Sequence, residues 1–145
     1  MRALVLYASL TGNTRKVAQA IAEELGVSAV DVRKEGIPDF ANVGLLLVGD
    51  GVYVGLPSRA MARTLKGLPP LSGVKAAVFG TYGSWPWQLR RLERLLERKG
   101  AEIVGRFACP DQDLFFYGML RHGRPNEDDL AAVRDFARQV AEGEA

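Results

Sequence analysis

The segment LVLYASLTGNTRKVAQAIAEEL, residues 4–25, decides the fold that the sequence predicts. It opens with an apolar run at residues 4–8 and ends with apolar residues at helical spacing over residues 17–25. Small, hydroxylated and turn-forming residues separate these two parts, which predicts a buried strand, a tight loop and a helix. Because a helix start collects backbone N–H groups and the positive end of the helix dipole, this loop favours an anion.

The loop offers four side-chain donors around one turn. Ser9, Thr11 and Thr14 each carry a hydroxyl, and Asn13 carries an amide that either donates to a ligand or caps the helix. Gly12 lets the backbone come close to a ligand or take a positive φ. This donor set suits a terminal phosphate with its three acceptor oxygens. An ordinary strand-to-helix connection capped by Asn13 is the open alternative.

The hexad Ser9-Leu10-Thr11-Gly12-Asn13-Thr14, directly after an apolar N-terminal strand, resembles the FMN-phosphate loop of the flavodoxin family. The family pattern is Ser/Thr-x-Thr-Gly-x-Thr. It differs from the ATP-type phosphate loop, which ends in Gly-Lys-Ser/Thr, and from the dinucleotide fingerprint with its three spaced glycines. The resemblance covers nearly the whole chain. It implies that FMN is the cofactor, that the hexad holds its phosphate, and that the chain shuttles electrons between redox partner proteins.

Apolar runs alternate with amphipathic segments along the chain. Five strands alternating with helices predict a single α/β domain over residues 1–145, a three-layer, doubly wound, five-stranded parallel sheet. The flavodoxin-like strand order 2-1-3-4-5 would bring the loops after strands one, three and four into one crevice. The predicted strands are residues 2–8, 27–32, 43–49, 74–79 and 102–109, and the helices are residues 13–25, 57–66, 87–99 and 127–142, with a turn or two around residues 38–40.

The second of these loops begins at Asp50 and contains Gly51 and Gly55. Glycine permits close approach of the backbone to a ligand and a peptide that can flip. Tyr53 offers an aromatic face to a flavin, and a purely structural role for it is equally open. The Trp-Gly-Asp pattern of short-chain flavodoxins is missing from this loop. The resemblance therefore leaves its flavin-facing residue unassigned.

The third loop begins at Thr81 and continues with Tyr82, Gly83 and Trp85. Aromatic rings stack on the flat isoalloxazine ring, so we expect Tyr82 and Trp85 to contact the flavin. Packing against the start of the next helix is the alternative for Trp85. This loop is also similar to the flavodoxin domain of the A-type flavoproteins. That similarity implies that Thr81, Tyr82 and Gly83 wrap the flavin ring and that Trp85 or Tyr82 lies against it.

Composition and charge limit the classes of partner that the sequence predicts. The formal net charge is +2, a departure from the typically acidic flavodoxins, and no dense basic stripe with interleaved aromatics predicts nucleic-acid binding. No apolar run approaches the roughly 20 residues of a membrane span, and no signal-peptide pattern occurs, so we expect a cytoplasmic protein without a membrane partner. Cys109 is the only cysteine and His122 the only histidine, so we expect neither an internal disulfide nor a metal site.

An FMN-binding electron carrier is the function that these patterns favour, since they indicate no general acid, nucleophile or second substrate pocket. The first alternative is an FMN enzyme on the same fold, such as a quinone reductase or a protoporphyrinogen oxidase. The apolar cluster at residues 115–120 could serve its substrate. The wider cluster at residues 114–120 could instead cover the last helix or form a partner surface near the flavin. The second alternative is a flavin-free interaction domain of the same topology.

Overall fold

Parallel strands and helices alternate along the part of the chain that the computed structural model describes, residues 2–8, 12–36, 38–51, 58–82, 88–110 and 127–143. The strands are β1 (Arg2–Ala8), β2 (Ala29–Asp31), β3 (Val43–Gly51), β4 (Lys75–Tyr82) and β5 (Glu102–Pro110). The helices are α1 (Asn13–Leu25), α2 (Val32–Glu35), α3 (Arg59–Lys66), α4 (Gln88–Arg98) and α5 (Glu127–Ala141). All strand pairs are parallel, in the order β2-β1-β3-β4-β5. The predicted sheet order is therefore confirmed.

Strand β3 occupies the middle of the sheet because its residues are apolar on both faces. Leu45 and Leu47 point to one side of the sheet, Leu46 and Val48 point to the other, and all four are buried. Both faces of a parallel sheet are covered by helices, which explains why this strand reads as one continuous apolar run.

Two helical layers cover the sheet, as the three-layer prediction requires. On one face, Leu6 of β1 belongs to a buried cluster with Met61 and Leu65 of α3 and with Leu92 and Leu96 of α4. Fully burying a side chain of this kind contributes roughly 1.5–3 kcal/mol. On the opposite face, α1 and α5 supply the second cluster, whose members include Val5, Tyr7, Val17, Ile21, Val133 and Ala137.

Strand β2 is shorter than the predicted residues 27–32. Gly26, at φ 69°, ends α1 as predicted. The Val27 N–H donates to the Ala22 carbonyl at 2.9 Å, a bond that belongs to the C-terminal motif of α1. Because α1 uses this N–H, the pairing of β2 with β1 begins only at Ala29.

The short helix α2 follows β2 at once, so the turn predicted around residues 38–40 is wrong. The Asp31 carboxylate accepts the Arg33 N–H at 3.0 Å. The Glu35 carboxylate accepts the Asp31 N–H at 2.9 Å. These reciprocal side-chain bonds stabilise one helical turn directly after the strand.

Helix α3 begins at Arg59, later than the predicted start at Pro57. Ser58 is its cap, because the Ser58 hydroxyl accepts the Met61 N–H at 3.2 Å. The predicted shared face of Met61 and Leu65 is confirmed, since both side chains are buried. Within the described ranges, no helix has the length and apolar character needed to cross a bilayer.

Candidate functional site at the carboxyl edge of the sheet

Three strand ends meet in one row at the carboxyl edge of the sheet. Ala8 of β1 lies beside Asp50 of β3, and Asp50 lies beside Gly80 of β4. The three segments that follow these strands therefore leave the sheet from adjacent points, as the predicted strand order requires.

Two of these strands extend further than predicted. Gly51 of β3 pairs with Thr81 of β4, and Tyr82 pairs with Pro110 of β5. Asp50, Gly51, Thr81 and Tyr82 thus lie on strand ends, and their prediction as loop residues is wrong. The ladder continues there because backbone pairing with a neighbouring strand outweighs the turn preference of the glycine.

Helix α1 begins close to this row with an unusual backbone. Gly12 precedes the first helical residue at φ 90°, a conformation that L side chains rarely adopt. Asn13 and Thr14 open the helix and are buried, with only 6% and 2% of their surfaces exposed. Gly12 therefore occupies the cap position, and the alternative in which Asn13 caps the helix is wrong.

The charge at the start of α1 is the reverse of what a helix dipole prefers. The first turn has no acidic residue and contains Arg15. A Cβ atom at Gly12 would lie 3.5 Å from a terminal nitrogen of Arg15, so the guanidinium folds back toward the helix start. Negative charge is stabilising at a helix N-terminus and positive charge is not. This arrangement therefore suits an anion supplied from outside the helix.

Asp50, near the end of β3, contacts the residue that precedes α3. Its carboxylate is 1% exposed, and one oxygen accepts the Ser58 N–H at 2.7 Å. Ser58 in turn caps α3 through its hydroxyl. One carboxylate therefore ties the end of β3 to the start of α3 and fixes both ends of the segment between them. The sequence analysis missed this role of Ser58, for which a serine before a helical pattern was the available signal.

Close packing behind the edge depends on two further glycines. A Cβ atom at Gly49 would lie 2.0 Å from the buried ring of Phe79. A Cβ atom at Gly80 would lie 2.6 Å from the Asp50 carbonyl oxygen. Both glycines are therefore required by the approach of β3 to β4, a role that the sequence analysis did not assign.

A comparison with known families identifies the chain. The model of the flavodoxin family matches residues 5–136, most of the length of the sequence. This chain belongs to the flavodoxin family. As a flavodoxin, it has a flavin-binding, electron-transfer role of the kind that operates with redox partner proteins.

This flavodoxin is also similar to individual proteins and solved structures. An uncharacterized protein of Methanocaldococcus jannaschii, MJ0298, is 31% identical over 97% of this chain and 98% of its own length. An NAD(P)H dehydrogenase (quinone) of Archaeoglobus fulgidus is 25% identical over 97% of this chain and 96% of its own. Among solved structures, a short-chain flavodoxin associated with a non-canonical PDU bacterial microcompartment covers 100% of both chains with 19% identity and a TM-score of 0.78. The last similarity supports the fold.

One titratable group lies under the edge of this flavodoxin. Tyr7 of β1 pairs with Asp31 of β2, and its side chain is buried. Burial raises the pKa of the Tyr7 phenol above its usual value of 10.0, and the charges of Asp31 and Glu35 raise it further. Arg15 acts in the opposite direction. The positive charge of Arg15, in the first turn of α1, thus acts on the pKa of Tyr7 near the end of β1.

Several predicted site residues fall outside the described part of this flavodoxin. These residues are Ser9, Leu10, Thr11, Tyr53, Gly83 and Trp85. For Gly51, Thr81 and Tyr82 the structure describes only the backbone. The contacts of the Thr81 and Tyr82 side chains with a flavin stay predictions. Among the residues it does describe, no three His, Cys, Asp or Glu side chains lie close enough to share a metal ion.

Proposed function

We propose that this flavodoxin binds FMN at the carboxyl edge of its sheet and carries electrons between redox partner proteins. The observation that carries the proposal is the start of α1. Gly12 takes a left-handed conformation there, Asn13 and Thr14 are buried, and the first turn has no acidic residue. An anionic group fits this arrangement, because a left-handed glycine lets a group come close to the backbone and no acidic side chain of the first turn would repel it.

The phosphate end of FMN would lie against residues 9–14. Backbone N–H groups of the left-handed turn and the hydroxyls of Ser9, Thr11 and Thr14 would donate to its oxygens, and Asn13 would add an amide. Leu10 would present its backbone within the same turn. Arg15 would lie close enough to offset part of the phosphate charge, given the direction of its guanidinium toward Gly12. This chain would thus combine neutral donors with one nearby cation.

The ring of FMN would lie against the segments that follow β3 and β4. When bound, the flavin supplies the exchange of one or two electrons. The backbone around Gly51 would hydrogen-bond one ring edge, and Tyr53 would offer a face to it. Asp50 would act mainly as a positioning residue, because its carboxylate already fixes Ser58 at 2.7 Å and so sets both ends of the second segment.

The segment after β4 would complete the ring site. Thr81, Tyr82 and Gly83 would wrap the ring, with Tyr82 or Trp85 stacked on it. Stacking of this kind excludes water and places the ring in a medium of low polarity. These residues would therefore give the ring a surrounding of low polarity, in which gaining negative charge costs more than it does in water. The proposal includes the cytoplasm as the place where the carrier works.

A second candidate function is an NAD(P)H-dependent quinone reductase on the same site. The similarity to the quinone dehydrogenase of Archaeoglobus fulgidus over nearly the full length of both chains favours it. Such an enzyme would use the same flavin site and would add a quinone pocket beside it. The two candidates differ in whether the chain accepts electrons from a nicotinamide directly.

Two measurements on the purified chain test these proposals. An absorption spectrum after incubation with FMN and gel filtration gives the flavin stoichiometry, for which we expect one FMN per chain. A chain that stays colourless at saturating FMN would refute both flavin functions and favour a flavin-free interaction domain. A steady-state assay with NAD(P)H and a quinone then separates the two flavin functions. We expect negligible turnover for the carrier, and rapid turnover would establish the reductase.

A further inference from the structure

A groove rich in positive charge lies between α3 and α4. Its volume is about 350 Å³. Two apolar side chains, Ala62 and Leu95, contribute to its lining, and both are partly buried. The other lining residues are four exposed cations, Lys66, Arg91, Arg94 and Arg98. The groove therefore combines apolar surface with positive charge.

The acidic residues of these helices do not neutralise the groove. Helix α3 contains no Asp or Glu, and α4 contains Glu93 and Glu97. Arg106 of β5 holds Glu93 through two hydrogen bonds of 2.8 and 2.7 Å, and this contact raises the pKa of the Arg106 guanidinium. Neither glutamate lines the groove. The four cations have no ion pair with any acidic side chain in the part of the chain that the structure describes.

In the opposite helical layer, the arginines of α5 form ion pairs with glutamates of α1. Arg134 of α5 lies 3.7 Å from Glu23 of α1, and Arg138 lies 3.9 Å from Glu24. Helix α5 also begins with three acidic residues. The positive charge of this chain is therefore concentrated on the α3–α4 side, although the formal net charge of the whole sequence is only +2.

The groove runs along α3 and α4 away from the carboxyl edge, because Lys66 and Arg98 in its lining are the last residues of these helices. Both α3 and α4 start at the carboxyl edge, after β3 and β4 respectively. Arg91 is the fourth residue of α4, so the groove begins roughly 5 Å along the helix axis from the first residue of α4, at 1.5 Å per residue. A partner protein that is larger than the groove would also cover the starts of these helices, on the side where the ring is proposed to lie.

We propose that the α3–α4 groove docks an acidic surface of a redox partner protein. The docking rests on the groove alone, and the identification of the partner as a redox protein rests on the proposed function. Charge complementarity of this type guides encounter and fixes orientation, which suits transient electron-transfer complexes with small interfaces.

A protein surface fits the groove better than the other anionic occupants do. Each exposed ion pair contributes little by itself, so a small anion would bind weakly to four solvated cations. A nucleic acid would need phosphate contacts along a longer basic track with aromatic platforms. The groove is about 10 Å long between Arg91 and Arg98 at the helical rise, and it has an apolar lining instead. An acidic protein surface of this size offers both carboxylates and apolar atoms, which match the cations and the apolar lining of the groove.

The test uses the full chain, with and without added FMN, and a fluorescein-labelled glutamate-rich dodecapeptide as the probe of an acidic protein surface. Fluorescence anisotropy measures its binding at low and at high sodium chloride. The groove variant is Arg91→Gln/Arg94→Gln. The matched control is Lys34→Gln/Lys75→Gln, which removes the same charge from exposed positions outside the groove. The single variant Arg94→Gln, at an exposed position, repeats the test with the least perturbation of the fold.

We expect the groove variant to weaken peptide binding by about tenfold and the control by less than about twofold, with binding weakened at high salt. Equal losses in the two variants would overturn the proposal, because net charge alone would then explain binding. Tighter, groove-dependent binding of vesicles containing phosphatidylserine, or of a DNA oligonucleotide of equal length, would also overturn it. Peptide binding that persists in a chain unable to take up FMN would support the docking surface and refute the proposed flavin function.

Discussion

The starts of α1 and α3 lie at the same edge of the sheet and are built in opposite ways. At α3, the chain supplies its own partners: the Ser58 hydroxyl accepts the Met61 N–H, and the Asp50 carboxylate accepts the Ser58 N–H. At α1, the cap position is Gly12, which has no side chain, and the first turn has no acidic residue. The α3 start is thus capped by side chains, whereas the α1 start has a glycine cap and no acidic side chain in its first turn, which suits a charged group from outside.

This difference indicates separate roles for the two helix starts, stability at α3 and ligand binding at α1. Side chains that accept backbone N–H groups at a helix start contribute stability. Those same groups would occupy the place of a ligand if they stood at α1. We therefore expect changes at the α3 start to alter the free energy of unfolding and changes at the α1 start to alter FMN affinity.

The largest expected effect concerns the hydroxyls before and in α1. In Thr11→Ala/Thr14→Ala, the two proposed hydrogen bonds to the FMN phosphate would be lost, each contributing about 1.5–3 kcal/mol, so FMN affinity should fall about a hundredfold or more. Riboflavin, which has no phosphate, should bind with nearly unchanged affinity. Parallel titrations by flavin fluorescence measure both. Ser58→Ala is the control, with FMN affinity kept, and equal losses for both flavins would contradict the phosphate assignment.

The next effect concerns Asp50. In Asp50→Ala, the half-buried Ser58 N–H loses its acceptor, so the free energy of unfolding should fall by about 1–3 kcal/mol. Asp50→Asn retains an acceptor oxygen and should lose much less. Urea denaturation of the flavin-free proteins gives both values. An unchanged stability in the alanine variant would show that the Asp50–Ser58 bond does not hold the α3 start.

A smaller effect separates the two ends of α1. Gly12 and Gly26 both have left-handed φ values, 90° and 69°. Alanine at either position should cost about 1–2 kcal/mol of stability, since L residues are strained in that region. Only Gly12→Ala should also weaken FMN, because its backbone is proposed to face the phosphate. Thermal melting and FMN titration measure the pair, and similar FMN affinities in the two variants would remove Gly12 from the site.

The smallest effect is a dependence on alkaline pH. The Tyr7 pKa is raised in the folded protein, so its contribution to stability is fully present below about pH 10 and is lost as the pH rises through the folded value. This loss is at most about 1.4 kcal/mol per pH unit. Melting temperatures of the protein and of Tyr7→Phe above pH 10 should therefore diverge, with the flatter curve in the variant. Parallel curves would exclude Tyr7 as the group responsible.

Local patterns predicted the fold correctly because each of them reports on a long element. The apolar run of β3 and the helical spacing in α1 each extend over many residues, so the alternation of strands and helices was readable. Helix α2 was misplaced because four residues are too few for a periodicity, and its start depends on side-chain bonds from Asp31 and Glu35.

The site was predictable only in part, since it depends on contacts between segments. The hexad before α1 carries its chemistry within six residues, so the sequence alone indicates an anion. The bond between Asp50 and Ser58 joins residues eight positions apart, and no spacing rule predicts it. The ring of Phe79 against Gly49 is likewise a contact between strands. The pairing of Glu93 with Arg106, which leaves the groove positive, depends on the tertiary fold.

The most direct test of the central claim follows the backbone amide signals of Gly12, Asn13 and Thr14 in ¹⁵N spectra during titration with FMN. Each should shift and saturate at one equivalent of FMN, because their N–H groups are proposed to face the phosphate. Riboflavin should shift signals near the ring segments after β3 and β4 and leave these three almost unmoved. Unchanged positions for all three at saturating FMN would contradict the account.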